Sequence, residues 1–263
     1  MEPISELHAR IQTKKVLLGC AICTGAPTNV ELAGMLGYDV VWGDLEHGSI
    51  SPHQAELFCM AAKAGGAIPL LRVQSAERTY ILRALDAGAG IISVPMVNDA
   101  ETARRVVEHG KHRPIGGRGF VGSSRGMRYG VGNNLENMEW TKRETHLFVQ
   151  IETVEAVRNC AAIASVEGLS GVLVGPGDLS VSMGKPLAFA DPEVVKTVGG
   201  LIRTIREHNK IAMLVSGHPA LVKVTLEAGV QIIVCAQERP ALRVQWMQTL
   251  KEMDTAIKAA NVR

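Results

Sequence analysis

The sequence predicts an α/β fold in which eight parallel strands close into a (β/α)8 barrel, the TIM barrel. Short runs rich in β-branched residues alternate with longer segments of helical period from one end of the chain to the other. Each short run is nearly continuous in apolar residues, as in strands buried on both faces of a parallel sheet. Eight such units in 263 residues also match the size of one barrel domain.

The predicted strands are bounded by glycine, proline or a charged residue, and each is followed by a segment that can form a helix. They lie at Val16–Ala21, Asp39–Trp42, Ala67–Leu71, Gly90–Val94, His146–Ile151, Gly171–Val174, Ile211–Val215 and Val230–Val234. An open, doubly wound sheet is the competing architecture. No linker-like composition interrupts the chain, so we predict a single domain over residues 1–263.

Composition and charge narrow the class of protein. The net charge of +2 gives no reason to expect nucleic acid or an anionic membrane as a partner. No run of apolar residues is long enough to span a bilayer, and the first residues lack the apolar core of a secretory signal. The five cysteines are an odd number without disulfide-framework spacing. We therefore expect a cytoplasmic, reducing environment.

A polar, glycine-rich stretch, residues 112–140, interrupts the rhythm between the fourth helix and the fifth strand. Long loops inside a compact domain usually have a function. We expect this segment on the catalytic face of the barrel, as a substrate lid or an inter-subunit contact. A solvated insertion is the alternative interpretation.

Charged and polar residues follow the predicted strands at their carboxyl ends, where the active sites of such barrels form. Because neighbouring strand ends meet at one rim, the side chains from strands two to six should converge there. In chain order they are Asp44, Glu46 and His47 after strand two, Arg72 after strand three, Gln150 and Glu152 at strand five, and Asp178 after strand six.

Glu152 and Asp178 are the candidate metal ligands. Two carboxylates at adjacent strand ends would repel each other unless a cation lies between them. Hard divalent ions such as Mg²⁺ or Mn²⁺ take oxygen ligands and keep positions open for substrate. The Gly-Pro-Gly before Asp178 also lets backbone approach a ligand closely. The structural alternatives are a helix-initiating acid at Glu152 and an N-cap at Asp178.

Arg72 and His47 have two interpretations each. The Arg72 guanidinium either binds a substrate carboxylate through two parallel hydrogen bonds or pairs with Asp44 or Glu46. His47 could act as a general base, ligate the metal or be a structural histidine. Asp86, near a helix C-terminus where negative charge is unfavourable, could form a dyad with His47. A salt bridge from Asp86 to Arg83 or to a neighbouring helix is the alternative.

Other signals are weaker. Cys20 and Cys23 have CxxC spacing but no second pair, which favours a buried strand end. Lys185 lies in a polar stretch beyond a glycine and is a poor candidate for a Schiff base. The remaining histidines are interpreted as helix or loop surface: His8, His53, His109, His112, His208 and His218.

Five motifs, in this order and spacing, resemble the HpcH/HpaI aldolase family of the pyruvate/phosphoenolpyruvate barrel superfamily. They are VVWGDLEHG, IPLLRV, ILRALDAGAGIISVPMV, LFVQIET and GVLVGPGDLSVSMG. The resemblance covers roughly residues 16–259. It implies a class II aldolase that uses Mg²⁺, Mn²⁺ or Co²⁺ to cleave or form 4-hydroxy-2-oxo acids, giving pyruvate and an aldehyde through a metal-stabilised enolate. An oxaloacetate decarboxylase or a macrophomate-synthase-like enzyme that forms carbon–carbon bonds is the alternative.

The resemblance also implies roles for individual residues. Glu152 and Asp178 would bind the metal, and His47, backed by Asp86, would transfer protons. It further implies a homo-oligomer, a hexamer built as a trimer of dimers, in which the long helix from Pro240 onward is exchanged between partners. The set expected to bind the substrate is Arg72, Gln150, Gly177, Asp178, Trp42 and Asp44.

Overall fold

The computed structural model describes residues 4–260 of the chain. Eight parallel strands, each paired with the next along the chain and the last with the first, form a closed barrel. This confirms the predicted (β/α)8 fold. The strands are β1 (Leu17–Ala21), β2 (Val40–Asp44), β3 (Ile68–Arg72), β4 (Ile91–Val94), β5 (His146–Ile151), β6 (Gly171–Val174), β7 (Ile211–Val215) and β8 (Ile232–Gln237).

Twelve α-helices accompany the strands in the described residues. They surround the barrel, except that the first closes the end where the strands begin and the last extends away from the barrel. They are α1 (Glu6–Lys14), α2 (Pro27–Met35), α3 (Pro52–Ala64), α4 (Arg78–Asp86), α5 (Ala100–Gly110), α6 (Asn134–Glu144), α7 (Val154–Arg158), α8 (Cys160–Ala164), α9 (Pro176–Ser182), α10 (Pro192–Glu207), α11 (Pro219–Glu227) and α12 (Glu238–Ala259). Within residues 4–260 no helix is both long and apolar enough to cross a membrane.

Alternation along each strand divides the apolar side chains between two cores. On β5, Phe148 points into the barrel and Val149 packs against the surrounding helices. The inner core is closed at the N-terminal end of the strands by α1, whose Leu7 is buried among the inner residues. The open end of the barrel is therefore the end where the strands terminate.

The position predicted for residues 112–140 is wrong. A helix in a βα unit runs back along its strand, so a segment between a helix and the next strand lies where the strands begin. The segment contains a 3-10 helix (Arg125–Gly130) and the start of α6, and Gly126 lines a cavity with Gly90 and His146, at the beginnings of β4 and β5. It therefore cannot cover the active site of its own chain. Its contact role between subunits stays a prediction.

The last helix, α12, leaves the barrel instead of packing on it. Residues 239–260 are all exposed, and large apolar side chains line the helix. These are Leu242, Val244, Trp246, Met247, Leu250, Met253 and Ile257. On the barrel, Leu18 of β1 and Cys235 of β8 are also exposed, so no helix in residues 4–260 covers the seam between these two strands.

Candidate active site

A cavity of about 630 Å³ opens at the carboxyl ends of the strands. Five residues predicted to bind substrate line it: Trp42, Arg72, Gln150, Gly177 and Asp178. The convergence of strand ends expected from the sequence is thus present in the fold. The Gly-Pro-Gly motif before Asp178 also contributes Gly175 and Pro176 to the wall. The other lining residues were not predicted to bind substrate: Ala21, Cys23, Phe189, Val215, Ser216, Gly217, His218, Pro219 and Gln237.

Glu152 follows β5 and is almost completely buried, with 2% of its surface exposed. One carboxylate oxygen accepts a hydrogen bond from the Met96 backbone N–H at 2.7 Å, and the other accepts from the Gln150 side-chain amide. Burial raises the pKa of Glu152 to about 7, and the neighbouring charge of Asp178 adds to the increase. Ionising this carboxyl in the apo-protein is therefore unfavourable.

Asp178 lies in the first turn of α9, beyond the end of β6, and its exposed side chain faces the cavity. Within the described part of the chain its carboxylate accepts no hydrogen bond and forms no ion pair. The backbone beside it is tightly packed at Gly175, where a Cβ would lie 2.7 Å from Gln150 Nε2 and 3.0 Å from Glu152 Oε2. Glycine is therefore required at this position, as the Gly-Pro-Gly motif suggested.

The donor set fits a hard divalent cation. Asp178 is close enough to Glu152 for its charge to raise the pKa of Glu152, and within residues 4–260 the nearby Gln150 Oε1 is buried without a hydrogen-bond partner. Two carboxylates and an amide oxygen are ligands of the kind that Mg²⁺ and Mn²⁺ prefer. No cluster of three or more His, Cys, Asp or Glu residues suited to a metal occurs among residues 4–260. A cation bound here would consequently keep coordination positions for water and substrate.

Arg72 is held by two carboxylates of the same rim. Its Nε and Nη2 donate to the two oxygens of Asp44 at 2.9 and 2.6 Å, and its Nη1 is 3.1 Å from Glu46. The guanidinium also lies 5.2 Å from the centre of the Trp42 ring. Burial alone would raise the pKa of Asp44, but Arg72 outweighs that effect and lowers it. The structure therefore contains the pairing alternative, although Arg72 still reaches the cavity wall.

His47 and Asp86 are not brought together within the chain. The His47 side chain is 70% exposed, and its Nε2 is 3.8 Å from Glu46. Asp86 ends α4, at the opposite end of the barrel, where its carboxylate is 3.3 Å from Arg118 Nη2. A single chain therefore does not form the predicted His47–Asp86 dyad by itself, because α4 carries Asp86 back to the end where the strands begin. Asp86 forms a salt bridge, but its partner is Arg118 of the loop after α5 and not Arg83 or a neighbouring helix, as the alternative had it.

Sequence reasoning missed much of the wall opposite the carboxylates. His218 precedes α11, packs its ring on Phe189 at 5.8 Å and donates its backbone N–H to Ser216 Oγ. Cys23 reaches the same cavity from the loop after β1. For Cys23, Ser216 and His218 the available signal was position alone, since each lies within three residues of a predicted strand end, where a barrel forms its active site. Phe189 lies far from any predicted strand end and gave no such signal.

The closed barrel and the acidic, amide and arginine side chains around its open end define an enzyme of the TIM-barrel class with its active site at the carboxyl ends of the strands. Residues 20–237, which are most of the chain, match the HpcH/HpaI aldolase/citrate lyase family. The protein belongs to that family. This confirms the resemblance inferred from the five motifs.

Similar proteins agree with this assignment. The chain is 29% identical over 236 residues to a hydroxypyruvate/pyruvate aldolase of Roseobacter denitrificans, covering 90% of this chain and 92% of the relative. It is 35% identical over 206 residues to a 2-keto-3-deoxy-L-rhamnonate aldolase of Klebsiella pneumoniae, covering 77% and 76%. A solved HpcH/HpaI aldolase from Desulfitobacterium hafniense superposes with a TM-score of 0.87 at 25% identity, covering 95% and 97%.

Proposed function

We propose that this enzyme cleaves and forms 4-hydroxy-2-oxo acids, with pyruvate or a close 2-oxo acid as the nucleophilic partner and an aldehyde as the acceptor. The observation that carries the proposal is the pair of carboxylates, Glu152 and Asp178, at adjacent strand ends. Asp178 lines the cavity, and Glu152 is buried behind the cavity wall, hydrogen-bonded to the lining residue Gln150. The relatives named as pyruvate and 2-keto-3-deoxy acid aldolases support the substrate class.

The divalent cation, when bound, supplies Lewis-acid stabilisation of the negative charge that develops on the keto oxygen of the oxo acid. Glu152 and Asp178 would hold it, and the hydrogen bonds from Met96 and Gln150 keep the Glu152 carboxylate in one orientation. Gly177 leaves open space beside Asp178, where a Cβ would meet no atom within 4 Å. A small oxo acid can therefore approach the backbone there.

Arg72 would orient the carboxylate of the oxo acid. Asp44 occupies the side of the guanidinium formed by Nε and Nη2, whereas Nη1 contacts only the half-buried Glu46. A substrate carboxylate would have to displace Glu46 from Nη1, and Asp44 would keep the guanidinium plane fixed. His47 is exposed on the next loop and would exchange a proton with the aldol hydroxyl directly or through water.

We further propose that the protein is a homo-oligomer in which α12 is exchanged, with the hexamer implied by the resemblance as the expected state. An exposed helix lined with apolar residues is unfavourable in water, and so is the uncovered seam between β1 and β8. A partner's helix laid on this seam would bury both surfaces. The barrel surface available to it includes Leu18, Leu32, Met35 and Leu36.

Proton exchange of pyruvate in D₂O tests the function without knowledge of the aldehyde. We expect loss of the methyl proton signal with Mg²⁺, Mn²⁺ or Co²⁺ and a return to the uncatalysed rate after chelation. Glu152→Gln protein with the same metal is the matched blank. Full exchange in chelated protein would contradict the metal assignment, and no exchange with any of the three ions would contradict the aldolase assignment.

Incubation of the same protein with oxaloacetate distinguishes the aldolase from the alternative, an oxaloacetate decarboxylase. Release of CO₂ above the metal-catalysed background, without cleavage of any 4-hydroxy-2-oxo acid, would identify a decarboxylase instead. Cleavage of such acids with pyruvate as a product supports the proposed reaction.

A further inference from the structure

One buried side chain anchors the start of α12, and the exposed Arg239 next to it adds a hydrogen bond of 3.4 Å to Ser49 Oγ. Glu238, the first residue of this 22-residue helix, is 7% exposed, whereas every other residue of the helix is exposed in the described structure. Burying a carboxylate costs free energy unless hydrogen bonds compensate for its lost hydration. The side chain thus marks a contact that the fold maintains.

All of the donors to Glu238 come from one loop and the helix that follows it. Thr24 donates its backbone N–H at 3.2 Å and its hydroxyl at 2.8 Å, and the Asn29 side-chain amide donates at 2.5 Å. Hydrogen bonds to an ionised acceptor are roughly twice as strong as neutral ones. Glu238 therefore holds the loop between β1 and α2 to the end of β8.

That loop forms part of the active-site wall. Cys23, adjacent to Thr24, lines the cavity, as does Gln237, adjacent to Glu238. The cavity wall therefore includes a neighbour of each partner in the Glu238–Thr24 contact. A change in the Glu238–Thr24 contact would move both walls at this point.

The same loop also supports the loop that carries His47. The Cys23 carbonyl accepts a hydrogen bond from the Ser49 backbone N–H at 3.2 Å. Gly48 packs closely against the backbone of Asp44 and Cys23. A Cβ at this position would lie 2.0 Å from the Asp44 carbonyl oxygen and 3.0 Å from the Cys23 carbonyl oxygen. Displacement of Thr24 and Cys23 would consequently displace the segment from His47 to Ser49.

We propose that Glu238 is a positioning residue that ties the root of the C-terminal helix to the two loops at the mouth of the active site. It does not touch substrate, and it acts through Thr24 and Cys23 on the His47 loop. The kinetic part of this inference rests on the proposed function. The structural part, the tie itself, does not.

Thiol modification of Cys23 measures the tie without any enzymatic assay. In a Cys235→Ser background, which removes the exposed thiol, we expect Glu238→Gln to increase the rate of Cys23 modification by about fivefold or more. Thr24→Val, which removes only the hydroxyl donor, should increase it to a smaller extent. Glu252→Gln makes the same chemical change at an exposed position of α12 and should leave the rate unchanged.

A charge exchange distinguishes positioning from general destabilisation. Asn29→Asp alone brings two carboxylates together and should release the loop, whereas the Asn29→Asp, Glu238→Gln double variant reverses the amide–carboxylate pair. We expect the double variant to modify Cys23 more slowly than either single variant. This restoration would not follow if each substitution only weakened the fold.

Steady-state cleavage of a 4-hydroxy-2-oxo acid provides the kinetic readout. Glu238→Gln should lower kcat by about tenfold or more, since small displacements of reacting groups are costly. The metal affinity should stay within about twofold, because Glu152 and Asp178 lie on other strands.

Equal Cys23 rates in Glu238→Gln and Glu252→Gln, or no restoration in the double variant, would overturn the tie. If the wild type cleaves no such acid, the proposed function fails while the thiol data still decide whether the tie exists. Faster modification with unchanged kcat would overturn the link from the tie to the His47 loop.

Discussion

Arg72 shows how one residue can satisfy two interpretations that looked exclusive in the sequence. Its bidentate contact with Asp44 and its position at the cavity wall are both observed. Removing the guanidinium would leave Asp44 buried without its main partner, which is costly. An effect of Arg72→Ala on substrate binding must therefore be separated from an effect on the rim itself.

Glu152, one of the two proposed metal ligands, gives a prediction with a defined pH dependence. Because burial raises the pKa of Glu152 to about 7, the folded apo-protein binds a proton there between pH about 4.5 and 7 that the unfolded chain releases. The stability of the apo-protein should consequently fall as pH rises through that interval, by up to about 3 kcal/mol. Glu152→Gln should remove this part of the dependence, as measured by urea unfolding of chelated protein.

The same group should make metal binding depend on pH. A cation requires the ionised carboxylate, so affinity measured by calorimetry should weaken as pH falls below about 7. Asp178→Asn should lose the metal at all pH values. Metal affinity that is constant from pH 5 to 8 would show that Glu152 is not a ligand.

His47 is predicted to move protons and not to bind the metal. We expect His47→Asn to lower kcat for aldol cleavage by about 10²-fold or more, the size usual for loss of a general acid–base group. Bound metal, measured by atomic absorption, should remain stoichiometric. Loss of the metal in this variant would make His47 a ligand instead.

Among the elements, β5 connects the candidate active site at one end of the barrel with the end that α1 closes. Gln150 and Glu152 are at its carboxyl end, and His146 begins the strand at the other end, beneath α1. The His146 ring is buried, its Nε2 has no partner within the described residues, and His8 lies 5.3 Å away. Burial, with the charges of Lys111 and His8, lowers the pKa of His146 to about 3.

A histidine buried in neutral form contributes to acid unfolding. Its full contribution to stability is present above about pH 6.5 and is lost as pH falls toward 3, because only the unfolded chain protonates readily. At pH 5 the loss should be about 2 kcal/mol. In His146→Leu, the urea concentration at the unfolding midpoint should depend less on pH between pH 7 and 5. Parallel curves for the two proteins would contradict the assignment.

The alternation of strand and helix predicted the elements well and the polar insertion badly. All eight strands were found, with shifts of one to three residues at some ends, because continuous apolar runs mark strands buried on both faces. Residues 112–140 were assigned to the wrong end. Their composition indicates exposure, but only the direction of the preceding helix determines which rim they occupy.

At the scale of the whole molecule, the exposed apolar face of α12 calls for a partner surface that buries it. Its exposed apolar side chains and the uncovered seam near Leu18 are complementary in character. Trp246→Glu and Leu250→Glu should dissociate the protein toward a 28.2 kDa monomer in light scattering, since each places a charge in the apolar contact. Thr255→Ala, on the same helix, should leave the mass unchanged. A wild type that is already monomeric would refute the exchange.

The sequence by itself determined the barrel and the residues that follow its strands, because apolar periodicity and position after a strand are local properties, and its five motifs identified the family. Only the tertiary structure decided that Asp86 lies away from His47, that Asp44 occupies one side of Arg72 and that Glu238 holds the mouth of the site. Those relations join residues that are far apart in the chain, and the path of the backbone between them sets which side chains meet.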